Sequence, residues 1–208
     1  MVEPNRSMHR VRTSHRSRSS LMQRVSLTSR MILLMLASLV GAAQPPNELT
    51  PYDVQAAYLN NFGKFIQWPP DPASSTEPIS IRILGQDYFG KKLDNLIADE
   101  TIQGRRIVAR RLASATDSDN CHILFIGLSE EAHLREDLAA LQKKPILTVS
   151  ALPGFLDRGG MIQFVLQNKR VRFAVNLPAA EKTGIALSSE LLKVAVYVNP
   201  ASAQGDKE

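Results

Sequence analysis

The sequence predicts a single α/β domain with a mostly parallel sheet, a C-terminal β-hairpin and flanking helices. Two kinds of sequence pattern alternate along the chain. Short runs that are apolar or alternating are typical of strands, and amphipathic runs with helical spacing lie between them. Segment 122–126 has the continuous apolar pattern of a central parallel strand that is covered on both faces. Strand, helix and strand in this order favour right-handed crossovers between parallel strands.

The first predicted helix begins after Thr50, downstream of a short linker at residues 45–48. Thr50 is a suitable N-cap, and Pro51 occupies the first helical position. Pro69 and the proline after it end the helix, and a polar loop covers 71–78. Apolar side chains at helical spacing predict one buried stripe, formed by Val54, Tyr58, Phe62, Phe65 and Ile66.

The middle of the chain supplies the remaining parallel strands and two helices. Ser129 is predicted to cap a helix that has acidic residues in its first turn. Basic strand 105–111 is predicted to lie near a sheet edge. The other predicted elements are strands 79–84 and 146–150, a short helix at 89–97, and a buried helical seam of Leu134, Leu138 and Leu141.

A hairpin at residues 161–176 is the clearest local structure. If Asn168 and Lys169 form a two-residue turn, Gln167 pairs with Arg170 and the whole register follows. One face is then apolar, with Ile162, Phe164, Leu166, Val171, Phe173 and Val175. The opposite face is mainly polar. After the hairpin, Ser188 or Ser189 is predicted to cap a last helix that buries Leu191, Leu192, Ala195 and Val196.

Residues 1–43 read as a secretory signal peptide with a long basic leader. Seven arginines lie in residues 1–30, a ten-residue apolar run follows at 31–40, and cleavage is expected after Ala42 or Ala43. The apolar run is shorter than the about 20 residues that a transmembrane helix needs. An uncleaved anchor and a basic nucleic-acid arm are the alternatives. The mature protein is therefore expected in the periplasm, with a polar tail at 200–208.

The charge distribution argues against nucleic acid as a partner. Seven of the 25 basic residues but only one of the 20 acidic residues lie in 1–30, so residues 31–208 carry a net charge of −1. The basicity of the whole chain belongs to its leader, and the domain has no excess of cations for phosphate backbones.

The sequence offers no recognisable catalytic or metal-binding constellation. The segment Gly85–Lys92 is spaced like a phosphate-binding loop, but Lys92 stands where a magnesium-binding Ser or Thr is required. His122 and His133 lack ligand spacing, and no Gly-x-Ser-x-Gly motif is present. Cys121 is the only cysteine, so no internal disulfide is available and a buried, inert thiol is expected. No cofactor, metal or catalytic residue is therefore predicted, and a hydrolase remains the open alternative.

Five residues are the candidates for a binding surface. Asn61 and Lys64 flank the first helix and lead to Trp68, and together they suggest a pocket or the rim of a partner site. Arg172 and Asn176 share the polar face of the hairpin, where they are candidates for contacting an anion. The alternative for each set is an ordinary solvated surface.

Several segments together resemble the YfiR-like family of periplasmic proteins. The resemblance runs from about residue 50 to 198 and defines the expected domain, 50–199. The matching segments, in chain order, are 54–65 with Trp68-Pro69, 83–85 with Phe89-Gly90, 121–126, 147–150, Gly154-Phe155, 159–162, 170–173 with Asn176, and 187–192.

This resemblance implies a periplasmic regulator that acts by protein contact and is not an enzyme. The best-known relatives bind the periplasmic part of a membrane-bound diguanylate cyclase and repress it, which restrains cyclic-di-GMP signalling and biofilm formation. An outer-membrane lipoprotein that relieves the repression and a homodimer are further implied partners. A small ligand that tunes the contact is a separate expectation. Relatives commonly use cysteine pairs, and Cys121 has no such partner here. The alternative function is a periplasmic small-molecule-binding sensor domain with a different output.

Overall fold

A computed structural model of the protein describes residues 49–70 and 77–199. The predicted signal peptide at 1–43, the linker at 45–48, most of the loop at 71–78 and the polar tail at 200–208 lie outside these residues.

The predicted fold class is confirmed. The central sheet has eight strands in the order β10-β8-β7-β6-β5-β2-β4-β3, and its five middle strands, β4, β2, β5, β6 and β7, pair in parallel. The hairpin β7–β8 is antiparallel, and a separate two-stranded sheet joins β1 to β9. The strands are β1 Ile66–Gln67, β2 Ile79–Leu84, β3 Thr101–Ile102, β4 Arg105–Leu112, β5 Ile123–Ile126, β6 Leu147–Ser150, β7 Ile162–Gln167, β8 Arg170–Asn176, β9 Ala186–Leu187 and β10 Tyr197–Asn199.

Helices cover both faces of this sheet and divide the core into two clusters. Along β5, Ile123 and Phe125 belong to the larger cluster, whereas Leu124 and Ile126 face the smaller one. A strand buried on both faces explains the continuous apolar run that the sequence shows there. The helices are α1 Pro51–Phe62, α2 Lys91–Ile97, α3 Leu134–Leu141, α4 Leu177–Glu181 and α5 Ser189–Val194.

Helix α1 begins as predicted, and the predicted stripe is buried only in part. Phe62 and Ile66 are buried, whereas Val54 and Tyr58 are half-buried. Thr50 and Asp53 form a reciprocal capping box, and Pro51 follows the cap. The helix ends at Phe62, because a 3-10 turn at Gly63–Phe65 and then β1 replace the predicted continuation. This break rotates the later residues off the helical stripe, so Phe65 is exposed. The residues of α1 that are buried are Gln55, Ala56, Leu59, Asn60 and Phe62.

Ser129 does not cap a helix, which corrects the prediction made for it. Residues Leu128–Glu130 form a 3-10 turn, and α3 starts only at Leu134. The Ser129 hydroxyl instead accepts a hydrogen bond from the backbone N–H of Gln86 at 2.9 Å, which ties the end of β5 to the end of β2. The predicted seam of Leu134, Leu138 and Leu141 is buried.

The hairpin has the predicted register. Gln167 pairs with Arg170, and the turn residues Asn168 and Lys169 both have positive φ, as a two-residue hairpin turn requires. Phe164 and Phe173 oppose each other and are buried, but Leu166 near the turn is 69% exposed. The apolar face therefore extends beyond the core at the tip of the hairpin.

The last helix is capped by Ser188, whose hydroxyl accepts from the backbone N–H of Leu191. Leu191 is buried as predicted. Val196 is not: the chain leaves the helix at Val194 to form edge strand β10, and Val196 is 40% exposed.

Candidate functional site

A pocket of about 460 Å³ opens at the end of the sheet where β2, β5 and β6 begin. It lies between the segment that follows β1 and the loops that lead into β5 and β6. Its lining mixes apolar walls with charged and polar groups: Trp68, Pro69, Glu77, Ser118, Asp119, Asn120, Cys121, His122, Lys144, Pro145 and Ile146.

His122 extends the hydrogen-bond ladder between β2 and β5 with its own ring. Its backbone N–H donates to the carbonyl of Ser80 at 2.9 Å, and the backbone N–H of Ser80 donates to ring Nδ1 at 3.2 Å. A ring nitrogen that accepts a hydrogen bond carries no proton, so a neutral His122 holds its proton on Nε2.

Arg105 reaches the second ring nitrogen from the start of β4. Its Nη2 lies 3.0 Å from Nε2 of His122, across the amino end of β2. The Arg105 Nε donates to the backbone carbonyl of Glu77, which fixes the guanidinium in this place. Guanidinium nitrogens are donors only, and Nε2 of the neutral His122 carries the ring proton. Two N–H donors, one on Arg105 and one on His122, therefore face each other in this contact.

The ring of His122 stays neutral at ordinary pH. Burial, together with the positive charges of Arg105 and Arg82, lowers the pKa of His122 to about 4. The guanidinium of Arg82, on β2, donates to the backbone carbonyls of Asp117 and Asp119.

Trp68 packs directly against His122 in the pocket lining. The two rings meet edge to face, with centroids 5.3 Å apart and planes at 83°. The indole Nε1 is shielded from solvent and has no hydrogen-bond acceptor among the residues that the structure describes. A buried N–H without an acceptor is uncommon and costs free energy.

Lys144 and Cys121 complete the polar part of the pocket. The Lys144 ammonium donates to the Ser118 hydroxyl at 3.1 Å and to the Asp119 carboxylate at 3.2 Å. Cys121 is buried, as predicted, and burial raises the pKa of its thiol to about 12. The thiol therefore stays protonated and is a poor nucleophile.

Asn61 and Lys64 do not line this pocket. Asn61 is exposed, and its amide donates to the carbonyl of Ala57 one turn earlier in α1. Lys64 makes an ion pair with Glu100 at 3.1 Å in which both side chains are about 40% exposed. Asn61, Lys64 and Trp68 were predicted to form one binding surface, but only Trp68 lines the pocket. A binding role for Asn61 and Lys64 stays a prediction.

Arg172 and Asn176 are also separated. Arg172 is exposed beside a groove of about 400 Å³ that Tyr58, Lys169 and Arg170 help to form. Asn176, four residues along β8, is buried and caps α4 by accepting from the Ala179 N–H, while its amide donates to the Leu156 carbonyl. Four strand residues span roughly 13 Å, so the two side chains do not converge on one small anion.

Sequence reasoning identified Trp68 but missed His122 and Lys144 as members of the pocket, and Arg105 as the neighbour of His122. The available signal was a histidine at the head of an otherwise apolar strand. Its partners lie on other strands, and their approach follows from the insertion of β2 between β4 and β5. That strand order is not visible in the sequence pattern.

The described residues contain no group of three or more His, Cys, Asp or Glu side chains placed to hold a metal ion. Within the same residues, no helix is long and apolar enough to cross a membrane. The pocket likewise offers no hydroxyl or thiol that donates to His122, so the described residues there provide no nucleophile paired with a base.

The chain is similar to two solved structures. A conserved domain protein from Vibrio cholerae O1 biovar El Tor strain N16961 matches with a TM-score of 0.51 and 11% identity, covering 73% of this chain and 61% of its own. An ABC domain from Streptococcus pneumoniae, solved in complex with L-Trp, matches with a TM-score of 0.48 and 11% identity, covering 72% and 60%. This chain thus spans about three fifths of the length of either protein, and the first likeness concerns the fold alone.

The family is shown by a sequence model. A family model described as YfiR/HmsC-like matches residues 52–196, nearly all of the described part of the chain, and confirms the resemblance seen in the sequence. The chain therefore belongs to the YfiR/HmsC-like family, a family of periplasmic regulators of cyclic-di-GMP signalling.

Proposed function

We propose that this protein binds the periplasmic part of a membrane-bound diguanylate cyclase and represses it. Family membership over residues 52–196 supports a regulator of cyclic-di-GMP signalling. The protein itself catalyses no reaction in this proposal, because its output is a change in the activity of the cyclase. Export by the predicted signal peptide is part of this proposal, because the protein and the periplasmic part of the cyclase must share a compartment.

The observation that carries the proposal is an apolar surface at the free end of the sheet. Strand β10 pairs only with β8 and leaves its other edge without a strand neighbour in the described part of the chain. Val194, Val196 and Tyr197 are 58%, 40% and 56% exposed around this edge. Exposed apolar side chains beside an open strand edge are typical of protein-binding surfaces.

We call this surface, formed by Val194, Val196 and β10, the β10 edge. Arg172 belongs to its surroundings, because Tyr197 pairs with Ala174 and Arg172 lies two residues before Ala174 on the same face of β8. Two strand residues correspond to about 7 Å, within reach of a long cationic side chain. Arg172 is therefore proposed as a charged contact that helps to select the partner.

A genetic experiment tests the repression. Deleting the gene should raise intracellular cyclic-di-GMP and surface attachment, because an inhibitor of synthesis is lost. Deleting the partner cyclase as well should return both to the level of the cyclase deletion alone. Unchanged cyclic-di-GMP in a deletion strain that normally expresses the protein would contradict the proposal.

A matched pair of variants tests the surface. Val196→Asp puts a charge on the β10 edge, whereas Leu128→Asp puts the same charge at an equally exposed position, 40% in both cases, after β5. We expect Val196→Asp to behave like the deletion and Leu128→Asp to repress like the wild type. Full repression by Val196→Asp would move the contact elsewhere, and Asn61 and Lys64 would be the next positions to change.

A homodimer and an outer-membrane lipoprotein are further partners that we propose from the family. Sedimentation of the purified wild type and of Val196→Asp shows whether the β10 edge binds a second copy of the protein or the cyclase. If the variant loses self-association but keeps repression, the β10 edge is a dimer interface.

The second candidate function is that of a small-molecule-binding sensor with a different output. The pocket of about 460 Å³ beside Trp68 is the observation that favours it. Saturable ligand binding in that pocket, together with a deletion that leaves cyclic-di-GMP unchanged, would support this function over repression.

A further inference from the structure

A second pocket, of about 610 Å³, lies between the end of α3, the loop that leads into β7, and α4. We call it the α3–α4 pocket. Three apolar side chains of its lining, Leu138, Leu141 and Met161, are buried. The pocket is therefore larger than the one beside Trp68 and has a buried apolar part of its own.

Every charged side chain that lines the α3–α4 pocket is a cation. These side chains are Lys143, Arg158 and Lys182, and all three are exposed to solvent. None of them forms an ion pair among the described residues. The acids next to them in sequence, Asp157 and Glu181, do not line the pocket. Because the domain as a whole has no excess of cations, a pocket with three cations and no acid departs from its average composition.

Arg158 is held at the edge of this pocket by its own loop. Its Nη2 donates to the backbone carbonyl of Pro153 at 2.6 Å, and its Nε donates to that of Gly154 at 3.4 Å. A guanidinium has five N–H groups, so these two bonds fix its position and leave further donors for a ligand. An oriented and exposed guanidinium is well suited to bind an oxyanion.

The neutral polar residues of the lining are largely committed to the fold. The Thr183 hydroxyl donates to the carbonyl of Ala180 at 2.9 Å, and the buried Thr148 hydroxyl accepts from the Met161 N–H at 3.1 Å. Asn176 accepts and donates within the chain, as described above. The three cations are therefore the groups that remain to recognise a ligand.

The number of cations and the size of the pocket limit the kind of anion. A phosphate monoester carries a charge of roughly −1.5 to −2 at pH 7 and has three strong acceptor oxygens, which suit one guanidinium and two ammonium groups. A carboxylate or a sulfate ester carries a single negative charge and leaves more of the positive charge unmatched. Inorganic phosphate has the charge but no organic part to fill a volume of about 610 Å³ or to cover its apolar side chains.

We propose that the α3–α4 pocket binds a phosphate monoester of a small organic molecule. The phosphate oxygens accept hydrogen bonds from Lys143, Arg158 and Lys182, and the organic part packs on the buried apolar side chains of the lining. This goes beyond repression of a cyclase and does not depend on it, because it concerns a small ligand and not a protein contact. Binding and repression are measured separately, so either claim can fail alone.

The experiment is an NMR titration of the purified mature protein at low ionic strength, because salt screens exposed charges. The backbone amides of Met161 and Thr183 report on the α3–α4 pocket, and the indole N–H of Trp68, the only tryptophan, reports on the other pocket. The probes are phenyl phosphate, phenyl sulfate and inorganic phosphate. Phenyl phosphate and phenyl sulfate have nearly the same shape but differ in charge.

We expect phenyl phosphate to shift the amides of Met161 and Thr183 saturably, with a dissociation constant of about 1 mM or below, and to leave the Trp68 indole unmoved. Phenyl sulfate should bind at least about fivefold more weakly, because it carries less negative charge. Inorganic phosphate should also bind at least about fivefold more weakly, because it makes no apolar contact.

Two lysine variants provide the matched control. Lys182 directly follows α4 and lines the pocket, whereas Lys193 lies in the last turn of α5 and does not. Both lysines are exposed, so neither substitution should unfold the domain. We expect Lys182→Gln to weaken phenyl phosphate binding about threefold or more, and Lys193→Gln to leave the affinity unchanged. Lys143→Gln combined with Lys182→Gln should weaken it about tenfold or more.

Four results would overturn the proposal. They are amides of Met161 and Thr183 that phenyl phosphate leaves unmoved, a shift of the Trp68 indole in their place, equal affinity for phenyl phosphate and phenyl sulfate, and equal effects of the two single lysine variants. Inorganic phosphate that binds as tightly as phenyl phosphate would reject the organic part of the ligand. The comparison of the three probes needs only the wild type, so the proposal stays testable without the variants.

Discussion

Replacing Phe173 by alanine tests the packing that joins the hairpin to the first helix. Phe173 is 1% exposed, and its ring meets Tyr58 and Phe62 of α1 edge to face at centroid distances of 5.4 and 5.2 Å. It also opposes Phe164 on β7. The substitution therefore removes contacts to two elements at once.

The expected loss follows from the buried area. An aromatic side chain buries roughly 150–250 Å², which at about 25 cal/mol per Å² corresponds to about 4–6 kcal/mol. Alanine retains part of this, so we expect Phe173→Ala to lower the free energy of unfolding by about 3–5 kcal/mol. Domains are typically stable by about 5–15 kcal/mol, so the variant loses a large share of its stability.

The neighbouring residue provides the control. Arg172 points to the opposite, exposed face of β8, so Arg172→Ala should cost less than about 1 kcal/mol. A urea titration followed by the fluorescence of the single tryptophan, Trp68, measures both losses. Equal losses from the two substitutions would mean that the two faces of the hairpin are not as described.

Three further predictions concern the core and the pocket. Cys121→Ser should leave repression unchanged, and native Cys121 should resist a thiol reagent at about pH 8 until the protein unfolds, because burial raises its pKa to about 12. The pKa of His122 is lowered on folding from 6.5 to about 4, so the stability that the neutral ring contributes is fully present above about pH 6.5 and is lost as the pH falls towards 4. Denaturant titrations should show this pH dependence weakened in His122→Asn and kept in the exposed control His133→Asn. Gly160→Ala should destabilise by about 1–3 kcal/mol in thermal unfolding, because its Cβ would overlap the buried Phe155 ring, and an unchanged melting temperature would contradict that close contact.

The sequence predicted the elements whose patterns are local. Alternation along both strands and the turn residues Asn168 and Lys169 were enough to give the hairpin register, since a two-residue turn allows a single pairing. The continuous apolar pattern of β5 likewise predicted a strand covered on both faces. Both predictions depend on residues that are close in sequence.

The predictions that failed depend on where the chain changes direction. Helical spacing extended the first helix past Phe62, but β1 pairs there with β9 about 120 residues later, which exposes Phe65. Ser129 had the composition of an N-cap, yet the contact with Gln86 that holds its hydroxyl depends on the neighbouring position of β2. Such long-range contacts leave no periodic trace in the sequence.

The pocket shows the same limit. Trp68 could be selected because a lone tryptophan before a proline pair ends an apolar helix-like run. The donors that face one another, on Arg105 and His122, are 17 residues apart and meet only because β2 lies between their strands. Composition could indicate a binding protein, whereas the contact between Arg105 and His122 is visible only in three dimensions.

The most direct test of the central claim is the affinity of the purified mature domain for the purified periplasmic part of the cyclase, measured by isothermal titration calorimetry. We expect a saturable complex with a dissociation constant of about 1 μM or tighter, which Val196→Asp weakens and Leu128→Asp does not. Absence of binding to the periplasmic part of every membrane diguanylate cyclase of the same organism would contradict the claim that this protein represses by contact.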